Sequence, residues 1–138
     1  MVIVVGGSRR KCGKTAVVES LIRENEEAGW TAIKIASHRH APTGAGDTAR
    51  YLAAGARRAE FVAAPDIEGC LAQIQEWISA SAHTIIESTR ILGHLKPDLA
   101  ILVVDARGEI KESCRRHLGA AEIVILARRT TVAPLGCP

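Results

Sequence analysis

Val2 to Thr15 reads V-I-V-V-G-G-S-R-R-K-C-G-K-T, and the fold follows from it. Val2 to Val5 is an apolar run, broken by Gly6 and Gly7. A basic stretch follows, Ser8-Arg9-Arg10-Lys11-Cys12, and then Gly13-Lys14-Thr15 opens a helical pattern. Strand, glycine-bearing turn, Gly-Lys-Thr and helix is the order of a P-loop. The chemistry behind it is anion binding. A turn at a helix N-terminus offers unpaired backbone N–H groups and the positive end of the helix dipole. Lys14 is placed to reach the β- and γ-phosphates of a nucleotide, and the Thr15 hydroxyl to bind Mg²⁺. One position departs from the pattern: the signature has glycine five residues before Gly13, and Ser8 stands there. Gly7, one place earlier, is expected to supply the turn. Gly7, Ser8, Arg9, Arg10, Lys11, Cys12, Gly13, Lys14, Thr15 and Ala16 are the expected nucleotide-binding stretch.

Outward from this loop, strands alternate with helices. Lys14 to Ala28 reads as a helix, with Val17, Val18, Leu21 and Ile22 on one face and Glu19, Arg23, Glu24, Glu26 and Glu27 elsewhere. Gly29 is its expected C-cap. Thr31 to Ile35 is a second strand. Ser37 to Gly46 is a loop that holds His38 and His40. Asp47 to Ala54 is a short helix closed by Gly55. Glu60 to Ala63 is a weak strand. Pro65-Asp66 starts a helix with the buried stripe Ile67, Leu71, Ile74 and Ile78. Thr84 to Ile86 is a strand ending at Glu87, and Leu99 to Val104 one ending at Asp105. Ile110, Cys114 and Leu118 mark a helix closed by Gly119, and Glu122 to Leu126 is a last strand. The strands are continuous apolar runs, so the sheet is expected to be mostly parallel and covered on both faces. The expected fold is therefore α/β, a three-layer α/β/α sandwich of P-loop NTPase type, as one domain over residues 1–138.

Composition narrows the function. The chain is 47% hydrophobic, enough for a proper core, while aromatics are only 3%. That argues against a base-stacking surface for nucleic acid. The net charge of +3 suits an anionic small molecule. The four cysteines, Cys12, Cys70, Cys114 and Cys137, form no C-x-x-C, so neither a zinc knuckle nor a thioredoxin motif is indicated. No signal peptide precedes the first strand, and no apolar run approaches ~18 residues, so a cytoplasmic, reduced protein without a membrane partner is expected.

In parallel sheets ligands bind at the carboxyl ends of strands, so the residues after each strand converge. A P-loop protein needs a second acid at a strand end to serve Mg²⁺, and both Glu87 and Asp105 qualify. Asp47 either caps its helix or reaches the metal or a water. His38 and His40 form an H-x-H without a third ligand nearby, which places imidazoles over the phosphates or in solvent rather than around a metal. Arg9, Arg10 and Lys11 exceed what one triphosphate requires. Arg9 stands where some dimeric P-loop proteins carry a lysine that acts across the dimer, and the alternative is a solvated basic tip. Cys12, beside the phosphates, is positioned for a lowered pKa.

Three stretches together resemble the molybdopterin-guanine dinucleotide biosynthesis protein B (MobB-like) family of small P-loop proteins. They are GGSRRKCGKT with its helix, the Ala32-Ile33-Lys34 strand end followed by SHRH, and DTARYLAAGA from Asp47 to Ala56. The third is similar to that family's Asp-Ser/Thr-x-Arg-x-x-x-Ala-Gly-Ala segment in register. The likeness covers about the first 65 residues well and the strand ending in Glu87 fairly. It implies a GTP-binding protein with weak hydrolysis, commonly a homodimer, working beside the nucleotidyltransferase that attaches a nucleotide to molybdopterin. It also implies that Lys14 and Thr15 contact nucleotide and Mg²⁺, and that Lys34, His38, Asp47 and Arg50 line the phosphate or cofactor side, with His40 beside them. Glu87 matches the acid that this family places at a strand end before a glycine, where Ser88 stands here. Lys14, Asp47 and Glu87 are the expected catalytic group, and Thr15 with Glu87 or Asp105 the expected metal ligands. No Asn-Lys-x-Asp follows the last strand, so guanine preference comes from the resemblance alone, and ATP remains open. The rival functions are a small-molecule kinase on the same loop and a non-catalytic, nucleotide-dependent adaptor.

Overall fold

The computed structural model describes residues 1–37 and 46–128. His38, His40 and Cys137, with the rest of their segments, lie outside the described residues. Six strands form one sheet in the order β3-β2-β4-β1-β5-β6, every neighbouring pair parallel. They are β1 (Val2–Gly7), β2 (Thr31–Ala36), β3 (Arg58–Ala63), β4 (Thr84–Glu87), β5 (Leu99–Asp105) and β6 (Ile123–Ala127). The helices between them are α1 (Lys14–Glu24), α2 (Asp47–Ala54), α3 (Leu71–Ser79) and α4 (Glu112–Arg115). Among the described residues no helix is long and apolar enough to cross a membrane.

The apolar strand runs are explained by burial on both faces. Val5, Ile85, Ile101 and Val103 pack with Val18 and Ile22 of α1 and Tyr51 of α2. Val4 and Ile86, next to Val5 and Ile85 in the chain, point the other way and, with Ile33 of β2, pack with Ile74 of α3 and with Ile91. Leu102 and Val104 meet Cys114 of α4. The period-two alternation of a strand thus feeds two cores, giving three layers.

Several boundaries differ from expectation. Helix α1 stops at Glu24 because Asn25 leaves the helical region, at φ −147°, and its carbonyl accepts from the Trp30 indole N–H at 3.0 Å. A separate 3₁₀ turn, Glu26–Ala28, ends at Gly29 in the left-handed region. Strand β3 starts two residues early, at Arg58, whose guanidinium pairs with Glu60 and lies over the Trp77 ring. The Ile67-to-Ile78 stripe is real, but its start is a 3₁₀ turn, Glu68–Cys70, before α3. The Ile110-Cys114-Leu118 helix shrinks to the four residues of α4 followed by a 3₁₀ turn, Leu118–Ala120.

Candidate functional site

The loop between β1 and α1 is fixed by contacts at both ends. Thr89, just after β4, accepts from the Gly7 N–H at 2.8 Å and donates back to the Gly7 carbonyl at 3.1 Å. Ser8 is fully buried, and its N–H donates to the Val103 carbonyl at 2.9 Å. Its hydroxyl accepts from the Asp105 N–H at 2.9 Å, tying the loop to the end of β5. The serine that breaks the glycine pattern is therefore a structural link. Nor does Gly7 make the turn, since it is the last residue of β1. The turn conformations belong to Lys11, at φ 57°, and Gly13, at φ 109°. What Gly7 gives is room, because a Cβ there would meet Cys12 Sγ and lie 2.8 Å from Lys14 Cγ. Gly13 then leads into α1, whose first turn has no side-chain cap. Its N–H groups are left for a ligand.

Glu87 is the hub beside this loop. Its carboxylate is 2% exposed and accepts from the Thr15 hydroxyl at 3.1 Å, from Lys34 Nζ at 2.6 Å and from the Tyr51 hydroxyl. Lys34 also pairs with Asp47 at 3.0 Å. Asp47 is the first residue of α2 and does not cap it. Gly46 is the N-cap and makes no side-chain bond, so the Asp47 carboxylate is left to Lys34. Burial by itself would lower the Lys34 pKa, but Glu87 and then Asp47 outweigh it and hold the ammonium above its ordinary value. Lys14 Nζ donates to the Arg9 carbonyl of its own loop at 3.1 Å and makes no ion pair among the described residues.

Asp105 is placed differently from Glu87. Arg9 grips it through Nε, at 2.9 Å, and through a second N–H, and the Arg107 N–H donates to it at 2.9 Å. The structure thus puts Glu87, rather than Asp105, against Thr15. It also gives Arg9 a partner within its own chain instead of leaving it in a solvated tip with Arg10 and Lys11, which are exposed. Arg50 is clamped to Glu19 at 2.5 and 3.1 Å, a bond that raises its pKa. Glu19 is accordingly buried, not on the solvent face that its helix position implied. Cys12 turns inward and packs with the α1 core rather than facing the cleft. Cys12, Cys70 and Cys114 are free thiols, and burial raises the pKa of Cys70 and Cys114.

Lys14, Thr15, Lys34, Asp47, Arg50 and Glu87 line an open cleft of about 760 Å³. Eight lysines and arginines face it, among them Lys14, Lys34 and Lys111, against two carboxylates, Asp47 and Glu87. The balance suits a polyanion. Among the described residues no group of three or more His, Cys, Asp or Glu could hold a metal by itself. Mg²⁺ does not need one, because phosphates and water supply most of its ligands. The hydroxyl of Thr15 and the carboxylate of Glu87, in mutual contact, are a donor set that fits it.

Ser8 and Asp105, Thr89 and Gly7, Tyr51 and Glu87, and Glu19 and Arg50 were not readable as pairs from the sequence. Each joins residues at least 31 positions apart. No protein-family model matches this chain, and no curated protein matches it.

Proposed function

We propose that this is a P-loop protein that binds Mg²⁺ and a nucleoside triphosphate, GTP by preference, and hydrolyses it slowly. We further propose that it serves molybdenum-cofactor assembly, as the family it resembles does, with a nucleotidyltransferase as partner and a homodimer as the working form. The observation that carries the nucleotide reading is the contact of Thr15 with Glu87 at 3.1 Å, directly beside Lys14 and the uncapped start of α1.

The roles follow from the chemistry. Loop N–H groups and Lys14 bind the phosphate oxygens and offset their charge. Thr15 and Glu87 would hold Mg²⁺, which would supply further neutralisation of phosphate charge. Lys34 holds the Glu87 carboxylate in place, and Tyr51 fixes its rotamer. Slow hydrolysis is expected because both carboxylates lining the cleft are already bound to Lys34. Neither is left to orient an attacking water.

Calorimetric titration with non-hydrolysable GTP and ATP analogues, with and without Mg²⁺, tests this reading. Mg²⁺-dependent preference for GTP is the expected result. Preference for ATP would favour the small-molecule kinase, whose turnover an acceptor should raise. Tight binding with no turnover at all would favour the adaptor. Binding of neither analogue would end the nucleotide assignment.

A further inference from the structure

A second cavity adjoins the cleft. It measures about 410 Å³, within the range of small-ligand sites. It lies between the turn after β4, the entry to α3 and the α4 segment, and it shares Arg90 and Ser113 with the phosphate cleft. The two therefore lie side by side across Arg90 and Ser113.

Its lining is basic. Arg90 and Arg116 face it, with His94 and His117, against one carboxylate, Asp66. The Arg90 guanidinium is aimed by two main-chain acceptors, the Ala64 carbonyl at 2.6 Å and the Pro65 carbonyl at 3.0 Å. Carbonyls orient it without cancelling its charge, and the fork keeps further donors. Arg116 has only a weak hold on Glu112, at 3.3 Å, with the two side chains 71% and 64% exposed. Such a pair is readily exchanged for a better acceptor. Asp66 is occupied, since its Oδ1 accepts from the Glu68 N–H at 3.1 Å. The groove thus holds two guanidinium forks without a firm carboxylate partner, two imidazoles, and a small apolar floor at Pro65 and Ile67.

We propose that this groove is a second ligand site, and that it takes the phosphate head of a small organic phosphomonoester alongside the nucleotide. The forks of Arg90 and Arg116 match phosphate oxygens bidentately. The imidazoles of His94 and His117 add donors from the two sides, and the floor accepts a compact organic body. The proposal rests on the nucleotide reading in one respect only, that the neighbouring cleft is the phosphate site of a different ligand.

The test is an amide NMR titration with phenyl phosphate on protein saturated with Mg²⁺ and a non-hydrolysable GTP analogue. Saturable shifts at Gly93, Ser113, Arg116 and His117 are expected, while Gly13 to Thr15 stay where the nucleotide holds them. The double variant Arg116→Ala, His117→Ala should weaken the probe roughly tenfold or more and leave nucleotide affinity unchanged. Arg116 is exposed and His117 half-buried, and neither belongs to the buried core, so the fold should survive. The proposal is overturned by shifts confined to Gly13–Thr15, by no saturable shift, by unchanged affinity in the double variant, or by an equal response to phenol. Loss of the response only when the analogue is bound would give the groove to the nucleotide itself, and also overturns it. If the analogue does not bind, the nucleotide reading fails separately. The same titration on Lys14→Ala then still reports on the groove.

Discussion

Replacing Lys34 by methionine removes one ammonium from between two carboxylates. Its Nζ lies 2.6 Å from Glu87 and 3.0 Å from Asp47, and its side chain is only 19% exposed. Removing one partner of a buried ion pair costs about 3–5 kcal/mol. Two features reduce that here. Glu87 keeps the hydroxyls of Thr15 and Tyr51 as donors, and methionine keeps most of the apolar stem. The expected loss is about 2–3 kcal/mol, a large part of a small domain's stability but not all of it. Urea unfolding with linear extrapolation measures it. The pH dependence is a second readout. The Lys34 pKa is raised in the fold above 10.5, so its contribution is complete below that value and is lost as the pH rises through the folded pKa. The gap between wild type and Lys34→Met should therefore persist through neutral pH and close above about pH 10.5. A loss below about 0.5 kcal/mol, or a gap that widens as the medium becomes more alkaline, would refute the reasoning.

Lys14→Ala should abolish nucleotide binding in calorimetry with circular dichroism and melting unchanged, because its ammonium holds only weak partners in its own loop, the Arg9 carbonyl and Cys12 Sγ at 4.0 Å. Retained micromolar affinity would dismiss the site. Ser8→Gly restores the first glycine of the motif, yet it strips the Asp105 N–H of its buried acceptor. It should lower stability by about 1–2 kcal/mol in urea, and a gain would contradict the role given to the hydroxyl. Tyr51→Phe withdraws a donor from a buried carboxylate and should cost about 1–3 kcal/mol, with a weaker Mg²⁺ dependence of nucleotide binding. Unchanged Mg²⁺ dependence would separate Tyr51 from the site.

The strands were legible because both of their faces are buried, so V-I-V-V, T-I-I-E and L-A-I-L-V-V-D carry their own signal. The helices were legible by period, but their lengths were not. The end of α1 is decided by Trp30 reaching back to Asn25, and α4 is a single turn although Ile110, Cys114 and Leu118 are evenly spaced. Pattern alone cannot tell one buried turn flanked by apolar loop residues from a longer helix. At the site, Gly13 caps α1 and Lys14 and Thr15 open it, the helix start that the sequence pattern marks. The choice between Glu87 and Asp105 was out of reach, because it depends on strand order. Strand β1 sits between β4 and β5, so both acids arrive beside the loop, and only packing decides which one Arg9 takes.

The charge around the cleft also divides by partner. Arg9, Lys34 and Arg50 are each engaged with a carboxylate. Arg10, Lys11, Lys14 and Lys111 make no ion pair among the described residues, though all four line the cleft. Their field reaches into solvent for about a Debye length, some 8–10 Å at moderate salt, and under the proposed function would draw the triphosphate in before any contact forms. The engaged cations act only at contact. On the proposed nucleotide function, long-range attraction would fall to these unpaired cations, of which Lys14 would also act at contact. Added salt should slow the arrival of a triphosphate severalfold, while its departure, governed by short and partly dry contacts, should scarcely change.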